Sequence, residues 1–274
     1  MTLNSKIGIG AALIGAFMLG VTVVAYSSAQ SETVQSKAPS SVETSFSDLE
    51  EEEIRELVRD YLLTNPEIII EAVNVYSARE RLRAASVAKE SAAENLAALL
   101  DPNHGFVTGK NPKNAKVAVV ELFDYHCGFC KRAAPLMKEI AERDGDVKVV
   151  FRELPILREE SDYAAEMSLA AREQGKFLDL HFAMMGAKGV LTKERVHGLA
   201  EDAGINVNKL KKAREKAVVA EAITETHDIA AKMGVDGTPA FIVAAVDGSY
   251  VDIVTGFRPQ ELIQKIEEAK RAAQ

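Results

Sequence analysis

The sequence predicts an α/β fold in which a sheet of short strands packs against helices and carries a large helical insertion. Two observations predict it. Four short apolar runs, rich in β-branched residues, have the length of strands, and the last two flank Asp247-Gly248, a strong hairpin signal. Helical segments lie between these runs, so the order is strand, helix, strand, helical block, hairpin and helix. The strands are predicted over residues 117–123, 147–154, 240–246 and 250–256.

The helices are predicted from composition and spacing. Residues 130–143 place Leu136, Ile140 and Ala141 on one face, and an amphipathic helix closes the chain over about 259–273. The insertion, about 156–233, reads as helical with several glycines between its helices. A chain of 274 residues that is 47% hydrophobic can bury such a core. Its net charge of −8 argues against a nucleic-acid partner, because phosphate binding needs a clustered basic surface.

The N-terminus has the layout of an export signal. Lys6 precedes an uncharged apolar run over 7–25, and the small residues Ser27 and Ala29 then provide a cleavage site. Residues 1–29 are therefore predicted to be a signal peptide, or, because the apolar run is long, an uncleaved membrane anchor. Both alternatives stay open, and both place the rest of the chain in a compartment where disulfides persist.

Three segments are predicted between this signal and the main domain at 116–274. Residues 30–46 are rich in Ser, Thr, Gln and Glu and read as a flexible linker. Residues 47–100 read as helical, with one long helix running to Leu100, and carry more apolar residues than a solitary exposed helix should. They either pack back onto their own chain or form an oligomerisation stalk against other subunits. Residues 101–115 contain Pro, Gly and Asn and read as a second linker.

Both cysteines of the chain lie in the stretch ELFDYHCGFCKRAAP, where the first main-domain strand gives way to a helix. A thiol at a helix N-terminus faces unpaired backbone N–H groups and the positive end of the helix dipole. We therefore predict a lowered pKa for Cys127, which would attack a substrate disulfide, while Cys130 resolves the mixed disulfide. The alternatives are weaker. Zinc needs about four ligands and only His126 lies close by in sequence, haem attachment needs His where Lys131 stands, and a structural disulfide would close only a tiny loop.

Thr238-Pro239 stands at the entrance to the buried run AFIV. A proline that leads into an internal strand often marks a special turn. A cis bond here would leave the flanking backbone free to pair with an extended peptide, whereas an ordinary trans turn is the alternative.

The CGFC unit, the helical insertion and the distant Thr-Pro together resemble the thioredoxin superfamily, in particular its DsbA-like branch. The cysteine stretch and the upstream LVRDYLLTNPEIIIEAV are similar to the suppressor-of-copper-sensitivity C (ScsC)-type bacterial disulfide isomerases and related outer-membrane immunogenic proteins. The resemblance implies a thioredoxin-like fold, with Cys127 as the exposed nucleophile, Cys130 as the resolving thiol and Pro239 as a cis-proline facing them. It also implies an N-terminal oligomerisation segment, trimeric in some members, and thus favours the stalk.

Residues around the cysteines are expected to tune the site or bind substrate. Phe129 stands where many strong oxidases have His, so we expect a weaker oxidant, and the Gly128-Phe129 pair resembles that of DsbC-type isomerases. Glu121 is either a buried proton relay for Cys130, which the resemblance favours, or the polar end of an edge strand. His126 either helps the thiolate from the outer side or faces solvent, and Thr238 flanks the proline.

Five other residues that could carry chemistry are assigned no role at the site. Lys131 and Arg132 are expected to be solvated. His181, Met184 and Met185 suggest copper but at helical spacing more often fill a core.

Three functions follow as hypotheses. The leading one is a periplasmic thiol–disulfide oxidoreductase, a protein disulfide isomerase or reductase. It would act without cofactor or metal on misfolded or disulfide-bonded envelope proteins, assembled as a homotrimer through residues 47–100 and kept reduced by a DsbD-like membrane reductase. The second is a monomeric DsbA-like dithiol oxidase, and the third is an envelope protein whose cysteines bind Cu(I).

Overall fold

The computed structural model describes residues 47–274. The predicted signal or anchor and the first linker lie outside the described residues. From residue 117 onwards the strands and helices follow the predicted order, and a 3₁₀ turn interrupts the insertion at Ala171–Gln174. The helices are α1 Asp48–Thr64, α2 Glu67–Glu94, α3 Leu96–Leu99, α4 Gly128–Arg143, α5 Glu159–Ala170, α6 Phe177–Gly186, α7 Lys193–Asp202, α8 Val207–Arg214, α9 Ala217–Lys232 and α10 Pro259–Ala272. The strands are β1 Phe106–Thr108, β2 Val117–Phe123, β3 Val147–Glu153, β4 Ala240–Ala245 and β5 Val251–Thr255.

The five strands form one mixed sheet in the order β1-β3-β2-β4-β5. Strand β2 is central, since it pairs in parallel with β3 and antiparallel with β4. Every residue of β2 is buried, as expected for a strand covered on both faces. Its alternating side chains divide between two hydrophobic clusters. Val117, Val119 and Phe123 pack with α4, α10 and the helical insertion, whereas Val120 and Leu122 pack with α9 and with the end of α2.

The helical insertion, α5 to α9, is anchored by the first cluster, which includes its fully buried residues Met167, Leu180 and Leu210. This cluster also contains both cysteines, so the redox motif is built on the same core that holds the insertion. No helix of residues 47–274 is both long and apolar enough to cross a membrane.

Two predictions about the N-terminal segment are wrong. The helix predicted to run to Leu100 ends at Glu94 and is followed by the short α3, because the Asn95 side chain donates to the carbonyl of Ser91 and Asn95 leaves helical geometry. Residues 101–115 are not only a linker, because β1 lies within them and pairs with β3.

The end of the helical segment belongs to the body of the domain. Ala92, Leu96 and Leu99 are buried in the second cluster. Arg152 of β3 is fully buried and donates to the carbonyl oxygen of Ala98 at 3.0 Å. Residues 67–88 of α2 carry large apolar side chains that are exposed, apart from the half-buried Ile68. This exposed set is Ile69, Ile70, Val73, Val75, Tyr76, Leu82 and Val87.

Helix α1 belongs to a separate compact unit that ends at Thr64. The Ser47 hydroxyl and Glu50 form a capping box at its start, with the Ser47 N–H donating to Glu50 at 2.7 Å. None of its residues is buried, although it carries Leu49, Leu57 and Leu63.

Candidate active site

Cys127 is the N-cap residue of α4. Its backbone is extended (φ −75°, ψ 115°), and its sulfur accepts a hydrogen bond from the N–H of Cys130 at 3.3 Å. Gly128 opens the helix with open space around its α-carbon, so packing does not require glycine there. Both cysteines are free thiols. The resemblance implied an exposed nucleophile, but Cys127 is only 3% exposed, and its sulfur lies 3.1 Å from the carbonyl oxygen of Thr238.

The pKa of Cys127 is lowered to about 6. The largest cause is the hydrogen bond from the Cys130 thiol, and burial opposes it. The Thr238 hydroxyl and the backbone N–H groups of Cys130 and Phe129 lower the pKa further. That hydroxyl is buried and has no hydrogen-bond partner among the described residues, so it is free to turn towards the thiolate. At pH 7 the thiolate is therefore the main form of Cys127.

Cys130 has the opposite environment. It is fully buried, and burial raises the pKa of its thiol well above the usual range. The hydrogen bond to Cys127 and the charge of Glu121 raise it further. The two thiols are thus strongly different: Cys127 ionises and Cys130 keeps its proton.

Glu121 lies on the central strand, opposite Phe151 and Phe241. The interpretation that it marks an edge strand is therefore wrong. The residue is 1% exposed, and neither carboxyl oxygen has a hydrogen-bond partner among the described residues. Burial first, and the charge of Cys127 second, raise its pKa to about 8. A buried carboxyl group that holds its proton at pH 7 thus lies within electrostatic reach of both cysteines.

The Thr238-Pro239 bond is cis. The Thr238 carbonyl contacts the Cys127 sulfur although 111 residues separate the two in sequence. The antiparallel pairing of β2 with β4 brings the start of β4 to the end of β2. The proline turn therefore lies beside the cysteine motif.

His126 does not face solvent, and the expectation that it does is wrong. Its side chain is 3% exposed. Its Nε2 accepts from the N–H of Leu191 at 3.0 Å, and its Nδ1 lies 2.9 Å from the Ser161 hydroxyl. Burial lowers its pKa, so the ring is neutral at pH 7. His126 therefore joins the motif to the insertion through two of the insertion's segments.

Lys131 is not simply solvated either. Its ammonium group donates to the carbonyl oxygens of Met184 at 3.0 Å and Ala187 at 2.6 Å, which lie at the C-terminal end of α6. Phe129 is the exposed residue of the motif, with 54% of its surface accessible. The guanidinium group of Arg132 stacks on its ring at 4.1 Å.

A buried polar cluster behind the motif was not predicted. The Tyr125 hydroxyl lies 2.6 Å from Ser168, 3.0 Å from His181 Nδ1 and 3.2 Å from Glu153. Burial lowers the pKa of His181 to about 3. His181 is fully buried, and Met184 and Met185 belong to the first hydrophobic cluster. Residues 47–274 contain no group of three or more His, Cys, Asp or Glu that could hold a metal ion.

Fold and site together are those of a thioredoxin-like domain, with a low-pKa thiol at a helix N-cap, a buried partner thiol and a cis-proline turn against them. A family model described as the DSBA-like thioredoxin domain matches residues 118–266, and the chain belongs to this family. A second model, described as the copper resistance protein ScsC N-terminal domain, matches residues 50–81.

Solved structures of similar proteins share this fold. A thioredoxin-like oxidoreductase from Silicibacter pomeroyi is 37% identical, with a TM-score of 0.57 over 63% of this chain and 95% of that chain. A linker-deletion variant of Proteus mirabilis ScsC is 26% identical, with a TM-score of 0.59 over 83% of this chain and 98% of that chain. Among curated proteins, a Na(+)/H(+) antiporter NhaA of Salinispora arenicola is 31% identical over 146 residues, which is 53% of this chain but 22% of the antiporter.

Proposed function

We propose that this chain is an exported protein disulfide isomerase or reductase of the bacterial periplasm. The observation that carries the proposal is the difference between its two thiols. Cys127 is ionised at neutral pH beside a Cys130 that is not. A reduced dithiol with one ready nucleophile is the form that attacks substrate disulfides.

The Cys127 thiolate attacks one sulfur of a substrate disulfide, forms a mixed disulfide and releases the other substrate sulfur as a thiolate, which takes up a proton. Two outcomes follow. In the first, another thiolate of the substrate attacks the substrate sulfur of the mixed disulfide, which forms a new disulfide within the substrate and releases Cys127 as thiolate. Alternatively, Cys130 loses its proton and attacks the Cys127 sulfur, which reduces the substrate and leaves the Cys127–Cys130 pair oxidised. A DsbD-like membrane reductase would return that pair to the dithiol.

Glu121 fits the proton acceptor for Cys130. The negative charge of Cys127 contributes to the raised pKa of Glu121, so the carboxyl group is protonated while the thiolate is present. Formation of the mixed disulfide removes that charge, and the pKa of Glu121 falls below about 8. Loss of the thiolate charge therefore shifts Glu121 towards its carboxylate form, which is the form that can accept a proton from Cys130.

The exposed apolar set on α2 supports assembly through the N-terminal segment. Seven large apolar side chains between residues 69 and 87 are each at least 45% exposed in the single chain, and a solvated helix rarely carries such a surface. Residues 50–81 match the ScsC N-terminal domain. We propose that residues 47–88 form the contact between subunits, with a trimer as the expected assembly, and that residues 91–99 belong to each catalytic domain.

The exchange chemistry is tested with scrambled ribonuclease as the substrate. Cys127→Ala is expected to abolish exchange, whereas Cys130→Ala is expected to accumulate mixed disulfides through Cys127. Full isomerase activity in the Cys127→Ala variant would contradict the proposal.

The assembly is tested by the mass of the protein in solution. A chain that lacks residues 47–86 keeps the buried residues of the second cluster and is expected to be a folded monomer with reduced isomerase activity. The double variant Ile70→Glu, Val73→Glu is expected to dissociate the assembly, whereas Asn74→Glu adds a charge to an exposed polar position on the same helix and serves as the control. A deletion variant with the same number of subunits as wild type would exclude the stalk.

A further inference from the structure

Asp124 follows β2 directly and has no assigned role in the exchange reaction. It is 1% exposed, and its carboxylate accepts four hydrogen bonds. Oδ1 accepts from the N–H of His126 at 2.6 Å and the hydroxyl of Ser161 at 2.9 Å. Oδ2 accepts from the N–H groups of Ile156 at 2.9 Å and Leu157 at 3.0 Å. The carboxylate therefore joins the redox motif, the segment after β3 and helix α5, and every bond requires it to accept.

The main chain of Asp124 contacts both cysteines. Its carbonyl oxygen accepts from the N–H of Cys127 at 3.0 Å, and its own N–H lowers the pKa of the Cys130 thiol, against the larger effect of burial. The turn from Asp124 to Cys127 is thus closed by this main-chain bond and by the bond from His126 to the side chain. One residue sets both the path of the chain into α4 and its attachment to the insertion.

The neighbouring His126 determines which atom donates in each hydrogen bond of the chain that runs from His126 through Ser161 to Asp124. Its Nε2 accepts from the N–H of Leu191, so the proton of the neutral ring lies on Nδ1. Nδ1 then donates to the Ser161 hydroxyl, and the Ser161 proton points to Asp124. The relay needs an acceptor at its end, and the carboxylate supplies it.

The hydrogen bonds of Asp124 affect the nucleophile, because the low pKa of Cys127 depends on the position of its sulfur at the N-cap of α4. The Cys127 sulfur is stabilised by the N–H groups of Phe129 and Cys130, which it reaches only as the N-cap of α4. Without the Asp124 carboxylate, the turn into the helix keeps only one of its two closing bonds, and two buried N–H groups of the next segment lose their acceptor.

We propose that Asp124 is a positioning residue for thiol–disulfide exchange, whose carboxylate holds Cys127 at the N-cap of α4 and fixes the insertion against the motif. The proposal rests on the redox role of Cys127 set out above. An amide cannot replace the carboxylate, because its NH₂ group would face either the Ile156 and Leu157 N–H groups or the His126 N–H and the Ser161 hydroxyl.

The test is the pH titration of the Cys127 thiolate, followed by its ultraviolet absorbance in the reduced protein, for Asp124→Asn and wild type. The midpoint of the variant is expected to rise, because weakened hydrogen bonds to the charged sulfur outweigh the loss of the negative charge of Asp124, which alone would lower the midpoint. Asp247→Asn is the matched control. Asp247 is an exposed carboxylate that accepts from Ser249 in the hairpin turn, at the other end of β4 from Pro239, and its loss should leave the midpoint unchanged.

A folded Asp124→Asn variant that titrates like wild type would overturn the positioning role. Should that variant not fold, Ser161→Ala decides instead. It leaves the carboxylate with three donors, so a smaller upward shift supports the proposal and an unchanged midpoint overturns it. Failure of wild type itself to show a low midpoint, or to exchange disulfides, would count against the proposed function rather than against Asp124.

Discussion

Replacement of Cys130 gives the sharpest view of how the site activates Cys127. The hydrogen bond from the Cys130 thiol is the largest contribution to the low pKa of Cys127. A hydrogen bond to a charged group contributes about 1.5–3 kcal/mol, which corresponds to about one to two pKa units. In Cys130→Ala the pKa of Cys127 should therefore rise from about 6 to between about 7 and 8.

Cys130→Ser is the matched control, because the hydroxyl keeps a donor at the same position. Its midpoint should lie closer to wild type than to the alanine variant. The assay is the ultraviolet absorbance of the thiolate as a function of pH. In wild type the amplitude below pH 9 should correspond to one thiolate and not two, because burial raises the pKa of Cys130. An alanine variant that titrates at the wild-type pH, or a serine variant shifted as far as alanine, would refute the reasoning.

Three further predictions concern stability and redox behaviour. Because the folded pKa of Glu121 is raised to about 8 from 4.5, wild type should lose stability relative to Glu121→Gln as pH rises from about 4.5 to 8, and urea unfolding at several pH values measures this. Arg152→Met removes one buried hydrogen bond, to Thr226, and two partly buried ones, to Ala98 and Glu225, and should lower the free energy of unfolding by about 3 kcal/mol in the same assay. Phe129→His places a new donor beside the thiolate and should make the pair more oxidising in equilibrium with glutathione. A stability difference between wild type and Glu121→Gln that does not vary with pH would contradict the first prediction. An Arg152→Met variant as stable as wild type would contradict the second, and a Phe129→His variant with the wild-type glutathione equilibrium would contradict the third.

Local patterns in the sequence predicted the strands of the sheet well. The first strand forms over the predicted residues 117–123, and the predicted hairpin signal at Asp247-Gly248 lies between β4 and β5. These features depend on side-chain alternation and turn residues, which are local properties. The central position of β2, and hence the full burial of Glu121, depends on pairing with distant strands, which alternation alone does not give.

The surroundings of the cysteines were only partly predictable for the same reason. The N-cap position of Cys127 follows from a strand that leads directly into a helix. The burial of His126 and the capping role of Lys131 depend on loops of the insertion more than 50 residues away. Asp124 was overlooked, although an acidic residue at the end of an apolar strand and three positions before a cysteine is a usable signal. Three of its four donors belong to Ile156, Leu157 and Ser161, more than 30 residues away, and its local sequence does not predict them.

The central claim is that Cys127 alone is the reactive thiol of the pair. Limited alkylation of the reduced full-length chain by a single equivalent of iodoacetamide at neutral pH tests it most directly, with the adduct located by mass spectrometry of peptides. The difference in the two pKa values predicts modification of Cys127 with Cys130 unmodified. Equal modification of both cysteines, or preference for Cys130, would contradict the account.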